Sequence, residues 1–344
     1  MDSSRSAFRA LLAVAAVVVV LAGLQAARTV LLPFLFAAVL AIMMLPLVMW
    51  MERNRLPRAV AIIAAVLTVL SVLVLVASFT AQSIQEFGGR LPIYQQALTG
   101  TFDELLRWLA ERGVDFWALN LQDSFDPGSV MSVVGTTLNG VLEILSNTIL
   151  VTITMAFMLA EASAFPDKLA RAFPEGTDSD GEIGGWSALV TSVQRYLLLK
   201  AMTSGLTGVL VWFLLTALGV ESPILWGFFA FVMNFIPTIG SIIAAVPAVL
   251  LALILIGPWV AAMTAAGYLV INVGIGNVLE PRVMGGQLGL SPMVVFLSLV
   301  FWGWMWGPAG MLLSVPLTVV IRSIMAHRPE TAWLATLLGP NQRA

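Results

Sequence analysis

The candidate chemistry of this chain lies in a few polar side chains within an otherwise apolar C-terminal half. Between residues 201 and 321 the ionisable side chains are Glu221, Glu280 and Arg282. The neutral amides and hydroxyls of the same stretch include Asn234, Thr238, Ser241, Asn272 and Asn277. Such groups donate and accept hydrogen bonds without a counter-charge, so as a set they suit a small polar solute rich in hydroxyls. Each one taken singly is more often a hydrogen bond between two helices.

Glu280 and Arg282 flank Pro281 at the predicted end of an apolar segment. Two interpretations of this acid and base stay open. They form a salt bridge at a helix end with no further task, or they have a gating or coupling role, because charges within a membrane are costly unless they are paired or functional.

The motifs of common enzymes are missing. The chain has no Cys, and its one histidine, His327, lies in a basic tail, so neither a thiol nucleophile nor a Cys/His metal site is expected. No Gly-x-x-x-x-Gly-Lys-Ser/Thr sequence occurs, so no phosphate-binding loop for ATP is present. The sequence therefore predicts a protein that is not an enzyme and that uses no metal or cofactor.

The composition indicates a membrane protein. Of 344 residues 59% are hydrophobic and 10% are charged, with a mean hydropathy of +0.96, whereas a soluble protein has about 25% charged residues. The sequence predicts an all-α polytopic membrane protein with the lipid bilayer as a partner and no nucleic acid. Six apolar stretches long enough to span have centres near residues 16, 40, 69, 151, 209 and 268.

Two further apolar segments are interrupted at corresponding positions. Ser222-Pro223 opens the first, which is broken by Pro237, Thr238 and Gly240. Ser291-Pro292 opens the second, 69 residues later, which is broken by Gly307, Pro308 and Gly310. Irregular backbone within a membrane is tolerated only where it is buried in protein or lines a cavity, so paired breaks point to a transporter's substrate site. The alternative is that these residues merely kink ordinary spanning helices.

Basic residues predict the topology. Arg5 and Arg9 precede the first span, Arg53 to Arg58 separate the second from the third, and Lys168 to Lys200 lie between the fourth and fifth. The positive-inside rule places these clusters and both termini in the cytoplasm. The two broken hairpins then open to opposite faces of the membrane, which is an inverted-topology repeat.

The predicted organisation has five segments. Residues 81–140 are polar, with seven acidic residues against three arginines, and apolar residues from Tyr94 to Leu109 recur at helical spacing, so this segment is expected to pack on the membrane part or on neighbouring copies. The segments are 1–80 (first three spans, a scaffold), 81–140 (extracytoplasmic), 141–200 (fourth span and cytoplasmic linker), 201–325 (transport core) and 326–344 (cytoplasmic tail).

Three stretches resemble a known family. They are residues 234–240, 277–285 and 288–316, and the resemblance is strong from Tyr196 to Ile324. Here the chain is similar to the autoinducer-2 exporter family, close to its autoinducer-2 transport protein branch. The resemblance implies a bacterial inner-membrane exporter of the quorum signal autoinducer-2, a small furanosyl polyol. It also implies a homo-oligomer, a pentamer, and an elevator-like movement of the hairpin-bearing part against the early spans.

Two other functions remain open. The family also includes members linked to monovalent cation/proton antiport, so the runner-up is a sodium or lithium ion/proton antiporter with Glu280 as the proton-carrying carboxylate. It ranks second because the chain offers few carboxylates within the membrane. The third is an oligomeric scaffold that binds a partner through residues 81–140, which leaves the paired breaks unexplained. The residues predicted to bind the solute or to gate its path are Asn234, Pro237, Thr238, Gly240, Ser241, Asn272, Asn277, Glu280, Arg282, Gly307, Pro308 and Gly310.

Overall fold

A computed structural model describes residues 2–112, 135–136, 147–162, 168, 182–237, 239–284, 290–326 and 331–339. The described residues form helices and the turns between them. In chain order the helices are α1 (Asp2–Ala26), α2 (Arg28–Arg53), α3 (Arg58–Glu111), α4 (Thr148–Glu161), α5 (Glu182–Ala217), α6 (Pro223–Met233), α7 (Ile239–Leu255), α8 (Pro258–Asn272), a π-helix (Val273–Leu279), α9 (Glu280–Met284), α10 (Pro292–Ala326) and α11 (Ala332–Leu337).

The protein is an all-α polytopic membrane protein, as the composition predicts. Five described stretches are long and apolar enough to cross a membrane: Arg28–Arg53, Arg58–Val76, Val190–Ala217, Pro258–Val283 and Pro292–Ala326. Shorter apolar helices are Leu11–Ala26, α4, α6 and α7. The six predicted span centres fall within α1, α2, α3, α4, α5 and α8.

Proline and serine fix where the helices of the hairpin region begin. Pro223 and Pro258 stand in the first turns of α6 and α8, where the missing N–H costs no intrahelical bond and the fixed φ suits a helix. Pro292 opens α10, and the Oγ of Ser291 accepts the N–H of Val294 at 3.3 Å, which caps that helix. Both repeats therefore begin at their Ser-Pro sequence, as predicted.

The first repeat is a helical hairpin. Its break lies at Asn234 to Pro237, between α6 and α7. α7 begins so close to the end of α6 that a Cβ at Gly240 would overlap the carbonyl oxygen of Met233. Glycine is required here because any side chain would have to displace backbone.

The second repeat is also a hairpin, although α10 runs from residue 292 to 326 without an intervening loop. The backbone leaves helical geometry at Trp306 and at Gly307, whose φ is +65°. Ser298 Oγ donates to the carbonyl oxygen of Ser314 at 2.9 Å, 16 residues along the chain, whereas in a straight helix these residues would lie about 24 Å apart. Residues 292–305 and 308–326 are therefore two arms packed side by side.

The glycine after the second break repeats the close approach of the first. A Cβ at Gly310 would overlap the carbonyl oxygen of Trp302, as one at Gly240 would overlap that of Met233. The alternative in which these residues only kink spanning helices is wrong for both repeats. The stretch Pro258–Val283, which is long and apolar enough to cross a membrane, separates the two hairpins, and this order of elements is the one expected for an inverted repeat.

The apolar side chains form separate clusters in different parts of the fold. One joins α2, α3 and α4 through residues that include Ala37, Ala65 and Met155. Another joins α5 to α8, with Trp226 and Phe229 among its fully buried members. α5 and α6 cross closely, since a Cβ at Gly208 or Gly227 would lie 2.8 Å from the other's carbonyl oxygen. Small residues at a crossing are a common means of packing helices in membranes.

α3 continues far beyond its span. It has 54 residues, about 81 Å of helix, against about 30 Å for the hydrocarbon core of a bilayer. Tyr94 is buried in the α5 to α8 cluster and its hydroxyl donates to Glu221 Oε2 at 2.8 Å, while Arg90 pairs with the same carboxylate. Burial, and then the hydrogen bond to Glu221, raise the pKa of Tyr94 to about 12, so the phenol remains a donor at neutral pH.

The polar segment therefore contacts the hairpin region at Tyr94, in line with the expectation that it packs on the membrane part. No helix boundary marks the predicted division at residues 80 and 81. The side chains of Leu98, Phe102, Leu105 and Leu109, which complete the predicted apolar face, lie outside the description, as do residues 113–134 and 137–140.

Replacing either hairpin glycine with alanine should destabilise the protein. In Gly240→Ala and Gly310→Ala the new methyl group meets a backbone carbonyl, and overpacking of this kind costs about 1–3 kcal/mol or more. We expect a midpoint of thermal unfolding several degrees below wild type in detergent. Gly205→Ala is the matched control, because a Cβ there meets nothing within 4 Å. Equal midpoints for all three variants would contradict the hairpin geometry.

Candidate functional site

A cavity of about 430 Å³ lies between α5, the first hairpin and the π-helix. Its lining combines apolar residues with several polar ones. The polar residues that line it are Tyr196 and Lys200 from α5, Asn234 and Ser241 from the first hairpin, and Asn272, Asn277 and Glu280 from α8, the π-helix and α9. Val295 and Val315 contribute one apolar wall from the two arms of α10.

The structure brings half of the predicted site residues to this cavity. Those that line it are Asn234, Pro237, Ser241, Asn272, Asn277 and Glu280. Gly240 lies at the base of the same hairpin break, whereas Thr238 lies outside the described residues.

The residues of the second break lie elsewhere. Pro308 lines a separate cavity of about 170 Å³ together with Arg28, Asn147 and Trp306, and Trp306 Nε1 donates to the carbonyl oxygen of Leu24 at 3.1 Å. Gly307 and Gly310 form the turn of that hairpin. The described residues of the two breaks thus face two cavities rather than one.

Glu280 is paired with a partner that the sequence interpretation missed. Lys200 Nζ lies 2.6 Å from Glu280 Oε1, and their side chains are only 7% and 18% exposed. Thr203 Oγ1 also donates to Glu280 Oε1, at 3.1 Å. The ion pair therefore joins α5 to the start of α9 inside the cavity.

Two expectations about these charges need correction. Glu280 forms its ion pair with Lys200, and no ion pair to Arg282 occurs within the described part of the chain, where Arg282 is exposed. Lys200 was counted among the cytoplasmic charges before the fifth span, but it lies inside the apolar stretch Val190–Ala217 and is buried. A lysine in this position is costly unless it is paired, and the carboxylate supplies that pairing.

The π-helix explains how one helix supplies three polar groups to the cavity. Its hydrogen bonds run from residue i to i+5, so each turn holds more residues than an α-helical turn. Asn272 and Asn277, five residues apart, would lie on different sides of an α-helix but come to one side in the wider turn, together with Glu280. π-helical segments are frequent at functional sites.

α5 contributes Tyr196 and Lys200 to the opposite wall, and Lys200 belongs to a row of polar side chains on this helix. Lys200, Thr203, Ser204 and Thr207 are all buried. Asn234 Nδ2 donates to Ser204 Oγ at 3.0 Å, which ties the end of α6 to α5. Sequence reasoning missed this row because Lys200 adjoins other basic residues, yet its spacing at i, i+3, i+4 and i+7 marks one helical face and was available in the sequence.

The fold and the cavity together define a class of protein. A multi-pass helical protein that holds a buried ion pair and several amides beside a helix break has the features of a membrane transporter.

Comparison with known proteins gives the family. The sequence model of the AI-2E family transporters matches residues 13–330. The chain is 35% identical over 322 residues to the AI-2 transport protein TqsA of Escherichia coli (strain K12), covering 94% of this chain and 93% of that protein. It is 36% identical over 342 residues to a putative transport protein of Haemophilus influenzae, covering 98% of both, and 36% identical over 332 residues to the putative transport protein YhhT of Escherichia coli (strain K12), covering 96% and 94%. The chain belongs to the AI-2E transporter family, as its resemblance implied.

Removing one member of the buried pair should destabilise the protein more than removing both. Lys200→Met leaves a buried carboxylate without its cation, and Glu280→Gln leaves a buried ammonium without its anion. Breaking a buried pair costs on the order of 3 kcal/mol, whereas a neutral replacement of both partners is often tolerated.

We therefore expect both single variants to unfold at lower denaturant concentration than the double variant Lys200→Met/Glu280→Gln. Arg282→Gln, which removes an exposed charge two residues from Glu280, serves as the control and should match wild type. Additive effects of the two single substitutions would argue against energetic coupling between Lys200 and Glu280.

Proposed function

We propose that this transporter exports a small neutral polyol, with autoinducer-2 as the first candidate, across a bacterial inner membrane. The observation that carries the proposal is the cavity of about 430 Å³, in which Lys200 and Glu280 offset each other's charge and amides supply the other polar contacts. A cavity of this kind suits a hydroxyl-rich solute without net charge. The relationship to a protein named for AI-2 transport supports the choice of solute.

The proposed recognition uses hydrogen bonds from two sides of the solute. Asn272 and Asn277 approach from the π-helical side, and Asn234 approaches from the first hairpin. The ion pair adds an ammonium that donates to hydroxyl oxygens and a carboxylate that accepts hydroxyl protons. A polyol can satisfy such a mixed set because each hydroxyl both donates and accepts.

The proposed movement is elevator-like. α2, α3 and α4 share one apolar cluster, and α5 to α8 share another that includes the first hairpin. A unit with its own packed core can shift against a second unit without losing its internal contacts. In this proposal the α5 to α8 unit carries the solute and moves together with the far end of α3, whose Tyr94 packs in its core, while the spanning parts of α2, α3 and α4 remain fixed.

One observation favours a second candidate, sodium or lithium ion/proton antiport. Glu280 is a buried carboxylate inside the cavity, and the ammonium of Lys200 occupies the position beside it that a metal cation would take. Cation binding would then require Lys200 to move or to lose its proton. Glu280→Gln alone is a poor test of this function because it also strands Lys200, so the double variant Lys200→Gln/Glu280→Gln is needed.

Transport by purified protein in liposomes separates the two functions. For polyol export, Asn277→Ala and Asn272→Ala should each lower autoinducer-2 transport several-fold, because one hydrogen bond is worth about 0.5–1.5 kcal/mol. Asn234→Ala should have a larger effect, since it also removes the bond to Ser204. Asn54→Ala, at an exposed residue between α2 and α3, is the control.

The outcomes of this assay decide between the candidates. Autoinducer-2 transport at the wild-type rate in all three cavity variants would refute the polyol proposal. Sodium/proton exchange that the wild type performs and the double glutamine variant lacks would establish antiport in its place.

The membrane topology is a further part of the proposal. Both termini and the α2 to α3 turn, with its arginines, are placed in the cytoplasm, and residues 81–140 are placed outside it. The chain has no native cysteine, so single cysteines report cleanly. In intact cells an impermeant maleimide should label Ser124→Cys, which lies outside the described residues, and should leave Asn54→Cys unlabelled until the membrane is opened. The reverse pattern would invert the topology.

A further inference from the structure

A second cavity, of about 380 Å³, lies between α7 and α8 and is lined mainly by apolar residues. Its walls include Ala245, Val249 and Leu250 from α7 and Ala265 and Tyr268 from α8. We call it the apolar groove. Ile242 and Leu269, which also line it, are well exposed, so the groove opens toward the side of the molecule.

The apolar groove adjoins the polar cavity. Ser241 and Ile242 of α7, and Leu269 and Asn272 of α8, line both. Polarity changes along the helix from Ala265 through Asn272 to Glu280, over roughly 20 Å at 1.5 Å per residue. Of these two adjoining spaces, one is therefore apolar and the other carries an ion pair.

The apolar groove contains one polar group without an obvious structural use. Tyr268 is 2% exposed, and its hydroxyl has no hydrogen-bond partner within the described ranges. A buried hydroxyl without a partner costs about 1–3 kcal/mol, so its retention needs an explanation. A ligand oxygen that displaces the side chains covering this hydroxyl would supply the missing bond, whereas a purely structural position would be filled better by phenylalanine.

We propose that the apolar groove is a binding subsite for the alkyl part of an amphipathic solute whose hydroxyl-bearing end occupies the polar cavity. The proposal rests on the proposed function, because the hydroxyl end uses that site. The ligand class is a small diol or polyol with a short uncharged alkyl chain. Tyr268 lies one helical turn from Asn272, about 6 Å along the helix, so the groove wall is next to the residues that would hold the diol.

Binding of alkane-1,2-diols tests this subsite without requiring transport. Saturation-transfer NMR on the full-length protein in lipid nanodiscs, with empty nanodiscs subtracted, gives dissociation constants from propane-1,2-diol to octane-1,2-diol. Burial of each methylene in the groove should tighten binding about fourfold until the groove is filled. Chain-length dependence that is the same with empty nanodiscs would assign the effect to the bilayer and overturn the proposal.

Matched variants locate the effect in the groove. Ala265→Leu fills the groove and should abolish the chain-length dependence while propane-1,2-diol still binds. Ala266→Leu, at the exposed neighbouring residue, should behave as wild type. If Ala265→Leu fails to fold, Ala245→Leu fills the opposite wall. A change of oligomeric state on filling the groove, measured by native mass spectrometry, would instead assign it to contact between copies and overturn the proposal.

Tyr268→Phe tests the hydroxyl separately. It should weaken binding of hexane-1,2,6-triol several-fold, because the distal hydroxyl loses its partner, and should leave hexane-1,2-diol unchanged. If the triol binds equally well to the wild type and to Tyr268→Phe, Tyr268 is not part of the subsite.

The same titrations distinguish failure of this inference from failure of the proposed function. If propane-1,2-diol binds and Asn277→Ala weakens that binding, the polar site is supported. A dissociation constant that does not change with chain length would then overturn the groove subsite alone. No binding of any diol would count against both.

Discussion

The arrangement of the transport region depends on neutralising one charge inside the membrane. Lys200 lies within the apolar stretch of α5 and is buried, so it requires a carboxylate at contact distance. Glu280 provides it at 2.6 Å, from a helix 80 residues further along the chain. This requirement holds the end of α8 and its π-helix against α5, and the cavity exists because these elements meet around the pair.

Backbone constraints shape the rest of the site. In lipid, every peptide group needs a partner within the protein, so a helix can break only where other elements enclose the break. The first break is enclosed by α5, through the hydrogen bond from Asn234 to Ser204. The chain can turn back into α7 only with glycine at residue 240. The second hairpin uses Gly310 in the same way but is enclosed by α1 and α2 through Trp302 and Trp306. Equivalent hairpins thus have different surroundings, which is why the break of the first hairpin lines the polar cavity and the break of the second does not.

Much of the architecture was predictable because its signals are local in sequence. Apolar stretches of spanning length, Ser-Pro sequences at helix starts and Gly/Pro breaks at matching offsets are properties of short segments, and they gave the helical membrane fold and both hairpins. The candidate site was only partly predictable. The sequence singles out Asn272 and Asn277 by their polarity alone. They share a face because of a π-helix, and its wider turn cannot be predicted from the residue types.

The sequence by itself determined the class of protein, the order of the described apolar helices, the two broken repeats and, through its resemblance, the family. Tertiary structure alone decided which charges pair and which polar residues share a cavity. Glu280 has a basic residue two positions away and another at Lys200, and the sequence cannot rank them, because pairing energy depends on distance and burial rather than on separation along the chain. Glu280 pairs with Lys200 because α5 packs against α9. The same packing determines where the candidate site lies.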